Sequence, residues 1–113
     1  MSDPDCLFCN IVAGEIPADI VREDEHTVAF RDIAPQAPTH VLVIPRDHRP
    51  NAVASAEDPA IGSRLLQAAG AVADAEGLSD YRLVFNTGAE AGQTVFHTHL
   101  HVLGGRSFQW PPG

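Results

Sequence analysis

Half of the six histidines in this 113-residue chain occupy alternate positions of one short segment, His97, His99 and His101 in VFHTHLHVLGG. Neutral imidazole, with an ordinary pKa of about 6.5, can act near pH 7 as nucleophile, proton carrier or metal ligand. The spacing i, i+2, i+4 is the period of a β-strand. It predicts a strand with three rings on one face at steps of about 6–7 Å. The opposite face, Phe96, Thr98, Leu100 and Val102, is then apolar enough to pack on a helix or a second sheet. Two chemistries suit three imidazoles in register: metal ligation, and nucleophilic catalysis with acid–base assistance.

The turn just before this segment, AGQT, supplies small residues, backbone N–H groups and the side chains of Gln93 and Thr94. Those are means of holding an anion without lysine, so a phosphate ester or phosphoramidate is a sensible substrate class. Near the start of the chain, CLFC has the C-x-x-C spacing, which can be redox-active, metal-binding or incidental. No βαβ pattern surrounds it to support a thioredoxin-like role. His26, Arg46, Arg49 and Arg106 read as solvated surface residues.

Bulk composition narrows the field. The length suits one domain spanning residues 1–113, and 44% hydrophobic residues suffice for a packed core. The net charge is -8, and every basic residue is an arginine. That balance argues against a nucleic-acid polymer as partner, since phosphate backbones are bound by clustered cations. No segment reaches the roughly 20 apolar residues of a membrane span, so no membrane partner is expected. An acidic N-terminus and only two cysteines point to a reducing, cytoplasmic setting.

The elements that must position these residues follow from pattern. Residues 6–13 predict a short helix stopped by Gly14 and Pro17. Alternating or apolar runs predict strands at 19–23, 27–32 and 40–45, with APQAP as a rigid connection and RDHRPN as a loop. Ser55 with Asp58 resembles a capping box, and Pro59 suits a first turn. From 60 to 76, Ile61, Leu65, Leu66, Ala69, Val72 and Ala73 recur at helical spacing, and Gly77 is a plausible stop. YRLVFNTG and TVFHTHLHVLGG predict the last two strands. The fold class is therefore α+β: a mostly antiparallel five-stranded sheet, one main helix on a face and a short N-terminal helix.

The segments HTHLHVLGG, FRDIAPQAPTHVLVIP, FNTGAEAGQTVFHTHLHVLGG and the terminal WPPG together resemble the histidine triad (HIT) family. They are most similar to its Hint branch, the histidine triad nucleotide-binding proteins. The resemblance covers nearly the whole chain. It implies a homodimer whose sheets join across the interface. The implied activity is hydrolysis of purine nucleoside 5'-phosphoramidates or related adenylates, with a purine nucleotide such as AMP as product.

By the same resemblance His99 attacks the α-phosphorus to form a nucleotidyl-histidine. His101 binds a phosphate oxygen and assists proton transfer, and His97 shapes the site from behind. Asp32 resembles the carboxylate that holds the ribose hydroxyls, with Ile33 packing on the purine. Asn86 resembles a residue orienting the phosphate, and Gly92, Gln93 and Thr94 match the phosphate-binding turn. His40 matches a histidine near the active centre. Trp110, in a tail over 106–113, resembles a segment that closes over the leaving group.

The cysteine pair resembles that of bacterial relatives with a structural zinc held by Cys6, Cys9, His48 and His97. The chemistry itself would need no cofactor. Two further readings remain open at this stage: a diadenosine-polyphosphate hydrolase or phosphorylase, and a nucleotide-binding module with vestigial turnover.

Overall fold

The computed structural model describes residues 2–113. In chain order it contains α1 (Leu7–Val12), β1 (Ile20–Glu23), β2 (Thr27–Arg31), β3 (Thr39–Pro45), α2 (Ala52–Ser55), α3 (Pro59–Ala75), β4 (Tyr81–Val84) and β5 (Leu100–Gly104). A 3-10 turn spans Ala89–Ala91. The strands form one five-stranded sheet in the order β1-β2-β3-β5-β4. Every neighbouring pair is antiparallel, in keeping with the α+β expectation. Among the described residues no helix is long and apolar enough to cross a membrane.

The central strands β2 and β3 are buried along almost their whole length, so the sheet is covered on both faces. Period-2 geometry sorts their side chains. Ala29, Val41 and Val43, with Leu100 and Val102 from β5, meet Ile61, Leu65, Ala68, Ala69 and Val72 of α3. On the other face Val28, Phe30, Leu42 and Ile44 meet Cys6, Phe8, Cys9 and Ile11 around α1. The register pairs Leu42 with His101 and Val41 with Val102. His101 therefore shares the α1 face, and its neighbour Val102 belongs to the α3 core.

The main helix begins where Asp58 accepts a hydrogen bond from the Ala60 N–H at 3.0 Å, with Pro59 in the first turn. Asp58 is thus the cap; Ser55, which the sequence pattern placed in a capping box, instead closes α2, a short helix the pattern did not show. Gly77, at φ +72°, ends α3 as expected, and the Leu78 N–H returns to the Ala73 carbonyl at 2.9 Å. Leu66 departs from the expected apolar stripe. It lies one residue, or about 100° around the helix, from Leu65 and is exposed.

The largest departure concerns the histidine segment. The expected strand over TVFHTHLHVLGG exists only from Leu100 onward, and its partner β4 stops at Val84. The β3–β5 ladder ends at the pair Val43–Leu100. Beyond it Pro45 has no N–H to offer, and its carbonyl is taken by the His97 ring at 2.9 Å. The Thr98 N–H goes to the Arg49 carbonyl at 2.7 Å instead of to a strand. His97 and His99 therefore do not share one strand face with His101. Nor do Phe96 and Thr98 join Leu100 and Val102 in one apolar face: Phe96 is exposed, and Thr98 is buried against a hydroxyl.

Candidate functional site

Two constellations flank the triad segment, and hydrogen bonding sets the chemistry of each ring. His99 is buried, and its Nδ1 lies 2.8 Å from the His97 carbonyl oxygen. A carbonyl can only accept, so Nδ1 carries a proton, and in the neutral ring the lone pair is on Nε2. The edge of Phe8 packs on this ring, with centroids 5.1 Å apart, and limits its rotation.

A second chain of bonds fixes His101. The Gln36 N–H donates to His40 Nδ1 at 3.0 Å, so the neutral His40 ring holds its proton on Nε2. That Nε2–H donates to His101 Nδ1 at 2.9 Å, with the Asp32 carboxylate 3.4 Å away. His101 must then carry its proton on Nε2, and that atom is buried with no hydrogen-bond partner in the protein. The His99 and His101 ring centroids are 5.1 Å apart. The result is one ring nitrogen without a bond to the protein beside one N–H without a partner.

Burial holds His101 largely neutral at physiological pH. Desolvation, with the adjacent His99 and His40 rings, lowers its pKa from 6.5 to about 4, against an opposing pull from Asp32. Burial likewise pushes His40 down, again opposed by Asp32. The donor atoms of Asp32, His40 and His101 lie close enough together to suggest a metal. His40 Nε2 and His101 Nδ1 lie 2.9 Å apart, in direct hydrogen-bond contact, so the three also read as a hydrogen-bond relay.

Both catalytic candidates line a cavity of about 590 Å³, within the size range of small-molecule sites. Asp32, at the end of β2, lines it, with one oxygen accepting from the Ala34 N–H at 2.8 Å. Ile33 is fully exposed at the mouth, and Gly92 and Thr94 form part of the rim. Gly92 holds φ +100°, a conformation that favours glycine.

The remaining expected residues lie outside the lining. Gln93 is buried, its amide spent on the Gly88 N–H and the carbonyls of Pro50 and Val95. Asn86 lies behind Gly92, where a Cβ would stand 3.6 Å from the Asn86 amide nitrogen. His40 acts from behind His101. Trp110 is 84% exposed, and no residue of the tail lines the cavity formed by this chain. The tail instead lies by β4, where Arg82 donates to the Gln109 carbonyl and stacks on Phe108.

Sequence reasoning missed the apolar wall of the cavity: Phe8 and Ile11 from α1, Ile16 just after it, Phe30 from β2 and Leu42 from β3. The signal was present in the helical spacing of Phe8 and Ile11, but reads as ordinary core packing.

The second constellation gathers Cys6, Cys9, His48 and His97, whose donor atoms all lie within 4.8 Å of one another. Cys6 caps α1, its sulfur accepting from the Cys9 N–H, so the first turn of the helix brings both sulfurs together. His97 Nδ1 is 3.4 Å from Cys6 Sγ, 3.5 Å from Cys9 Sγ and 3.2 Å from His48 Nδ1. His48 Nδ1 is 3.3 Å from Cys9 Sγ. Tetrahedral zinc with Zn–N near 2.05 Å and Zn–S near 2.3 Å gives N–N and N–S edges of about 3.3–3.6 Å, the range of these contacts. The donor set fits.

The protonation pattern fits as well. His97 is fully buried and donates its Nε2–H to the Pro45 carbonyl, which leaves the Nδ1 lone pair facing the cluster. Desolvation lowers the His97 pKa to about 4, so that lone pair stays free. Burial pushes the Cys9 thiol up, with the neighbouring Cys6 adding to the effect. The cysteines form no disulfide.

Fold and site together define an antiparallel α+β protein with a histidine-lined cavity beside a Cys₂His₂ cluster. The HIT domain pattern matches residues 13–108. An uncharacterised HIT-like protein of Synechococcus elongatus is 54% identical over 111 residues, covering 96% of this chain and 97% of that one. A HIT family hydrolase from Legionella pneumophila superposes with a TM-score of 0.92 at 52% identity, covering 96% of this chain and all of that one. A histidine triad protein from Clostridium difficile gives 0.91 at 35% identity, over 96% and 97%. The chain belongs to the HIT family and has the fold of its hydrolases.

Proposed function

We propose that this protein hydrolyses purine nucleoside 5'-phosphoramidates or related adenylates through a nucleotidyl intermediate on His99, as in the Hint branch. The observation that carries the reading is the hydrogen bonding of two rings that line one cavity: His99 Nδ1 is held on the His97 carbonyl, which leaves its Nε2 free, beside His101, whose Nε2 has no partner in the protein. His99 Nε2 attacks the phosphorus as the bond to the leaving amine breaks. His101 Nε2–H donates a hydrogen bond to a phosphoryl oxygen beside the leaving group, and the departing amine takes its proton from water. Water then displaces the nucleotide from His99. Asp32 holds the ribose, the wall of Phe8, Ile11 and Phe30 takes the base with Ile33 above it, and Gly92 and Thr94 hold the phosphate.

Zinc in the Cys₂His₂ cluster supplies structural cross-linking. Cys6 and Cys9 tie α1 to His48 of the loop after β3 and to His97 of the triad segment. Elemental analysis of protein purified without a polyhistidine tag finds near-stoichiometric zinc if this is right. A homodimer is supported by β4, a free sheet edge whose Tyr81 and Leu83, with Phe85 beyond it, are partly exposed. Trp110, exposed in one chain, would gain its partner there. Light scattering that returns a monomer mass contradicts the dimer.

The test of function sets adenosine 5'-phosphoramidate beside a diadenosine polyphosphate and follows AMP release. Preference for the phosphoramidate, abolished in His99→Ala, supports the reading. Preference for the dinucleotide moves the protein to another HIT activity. Binding of AMP without turnover of either makes it a binding module.

A further inference from the structure

The centre of the triad segment holds a buried side chain that the chemistry above leaves unused. Thr98, 1% exposed, separates His97 from His99, and its hydroxyl meets that of Ser55 at 2.6 Å. The same hydroxyl lies 3.1 Å from the Arg49 carbonyl, which also accepts the Thr98 N–H. Ser55 Oγ lies 3.0 Å from the Asn51 carbonyl, and Gln93 Nε2 donates to the Pro50 carbonyl at 2.6 Å. Three successive carbonyls of the loop after His48 are thus held by buried side chains.

Proton counting shows how the hydroxyl pair behaves. Two hydroxyl protons serve three oxygen–oxygen contacts, so one lies between the hydroxyls and the other on a carbonyl. Removing either hydroxyl strands no donor, because the survivor keeps its own carbonyl. Nor is the pair made necessary by a sheet ladder, since β5 begins only at Leu100. What the pair does hold is the backbone between two rings that must face different ways.

We propose that the Thr98–Ser55 hydroxyl pair is a positioning device for His99. It fixes the backbone between His97 and His99, which keeps the His97 carbonyl on His99 Nδ1–H and the Nε2 lone pair aimed into the cavity. Thr98 touches no substrate and is a positioning residue. The kinetic part of the test rests on the hydrolase reading above; the spectroscopic part does not.

Thr98→Val, Thr98→Ser and Ser55→Ala are compared in the full-length protein, with adenosine 5'-phosphoramidate as substrate and AMP as binding probe. Misplacing a reacting atom by a fraction of an ångström lowers kcat, so Thr98→Val is expected to lose roughly 10- to 100-fold in kcat with KM and AMP affinity within about twofold. Ser55→Ala loses less, and Thr98→Ser, which keeps the hydroxyl, stays near the wild type. Long-range proton–nitrogen NMR shows one Nδ1–H tautomer for His99 in the wild type and a mixture in Thr98→Val.

A folded Thr98→Val protein with wild-type kcat and a single His99 tautomer overturns the inference, and so do parallel losses of kcat and AMP affinity. If the wild type turns over no phosphoramidate, the proposed function fails. The tautomer comparison then decides the inference alone.

Discussion

His97 and His99 are two residues apart, both buried, and both bonded to a backbone carbonyl, yet they face different chemistries. His97 uses Nε2 on the Pro45 carbonyl and turns Nδ1 to two thiols and His48. His99 uses Nδ1 on the His97 carbonyl and leaves Nε2 for the cavity. Residue type is the same at both positions. What differs is which nitrogen the backbone occupies, and that choice leaves one ring's free nitrogen facing two thiols and His48 and the other's free for the role proposed above. The two sites are also joined, because the carbonyl that orients His99 belongs to the cluster ligand.

That contrast can be broken at several points. His99→Ala removes the attacking atom and is expected to lower kcat by about 10⁴-fold or more, with AMP binding retained by calorimetry. His97→Ala removes a ligand and a fully buried ring, so the loss should appear first in folding. A cost of roughly 3–5 kcal/mol in denaturant unfolding is expected, together with loss of bound zinc. A His97→Ala protein of wild-type stability would erase the distinction.

His101→Ala, which removes one N–H donor from the phosphoryl group, should lower kcat by about 10²–10³-fold. His101 also sharpens the contrast through pH. Its folded pKa of about 4 lies below the ordinary 6.5, so between those values the unfolded chain binds more protons. Stability from this group is full above pH 6.5 and declines by about 3 kcal/mol as pH falls to 4. His101→Asn should flatten that part of the stability profile measured by urea unfolding. Thr94→Val, a rim substitution, should have the smallest effect, roughly 10-fold in kcat/KM. A loss equal to that of His99→Ala would remove His99 from its role.

Much of this arrangement is legible in the sequence. Apolar alternation placed the first three strands to within a residue at each end, and the apolar spacing with Gly77 placed α3. The three triad histidines announced chemistry by type and spacing, and the glycine turn before them suggested an anion site; the C-x-x-C pair gained its metal reading only from the family resemblance. What misled was the period-2 reading of the triad, because periodicity records which residues could share a strand face and says nothing of where the ladder stops. It stops here because Pro45 and the loop after it capture the Thr98 N–H and the His97 ring.

Other misses have similar causes. Gln93 looked like a phosphate ligand, but a buried amide with three bonds to backbone groups has nothing left to offer. Phe8 and Ile11 carried no separate signal, because a cavity wall and a core face use the same residue types and these two serve as both.

The most direct test of the central claim is to mix the protein with adenosine 5'-phosphoramidate, quench within one turnover, and map the nucleotidyl group by peptide mass spectrometry. An adenylyl group on the peptide, localised to His99, is the predicted result. An adduct localised to His101, or turnover with no adduct at any time point, would contradict it.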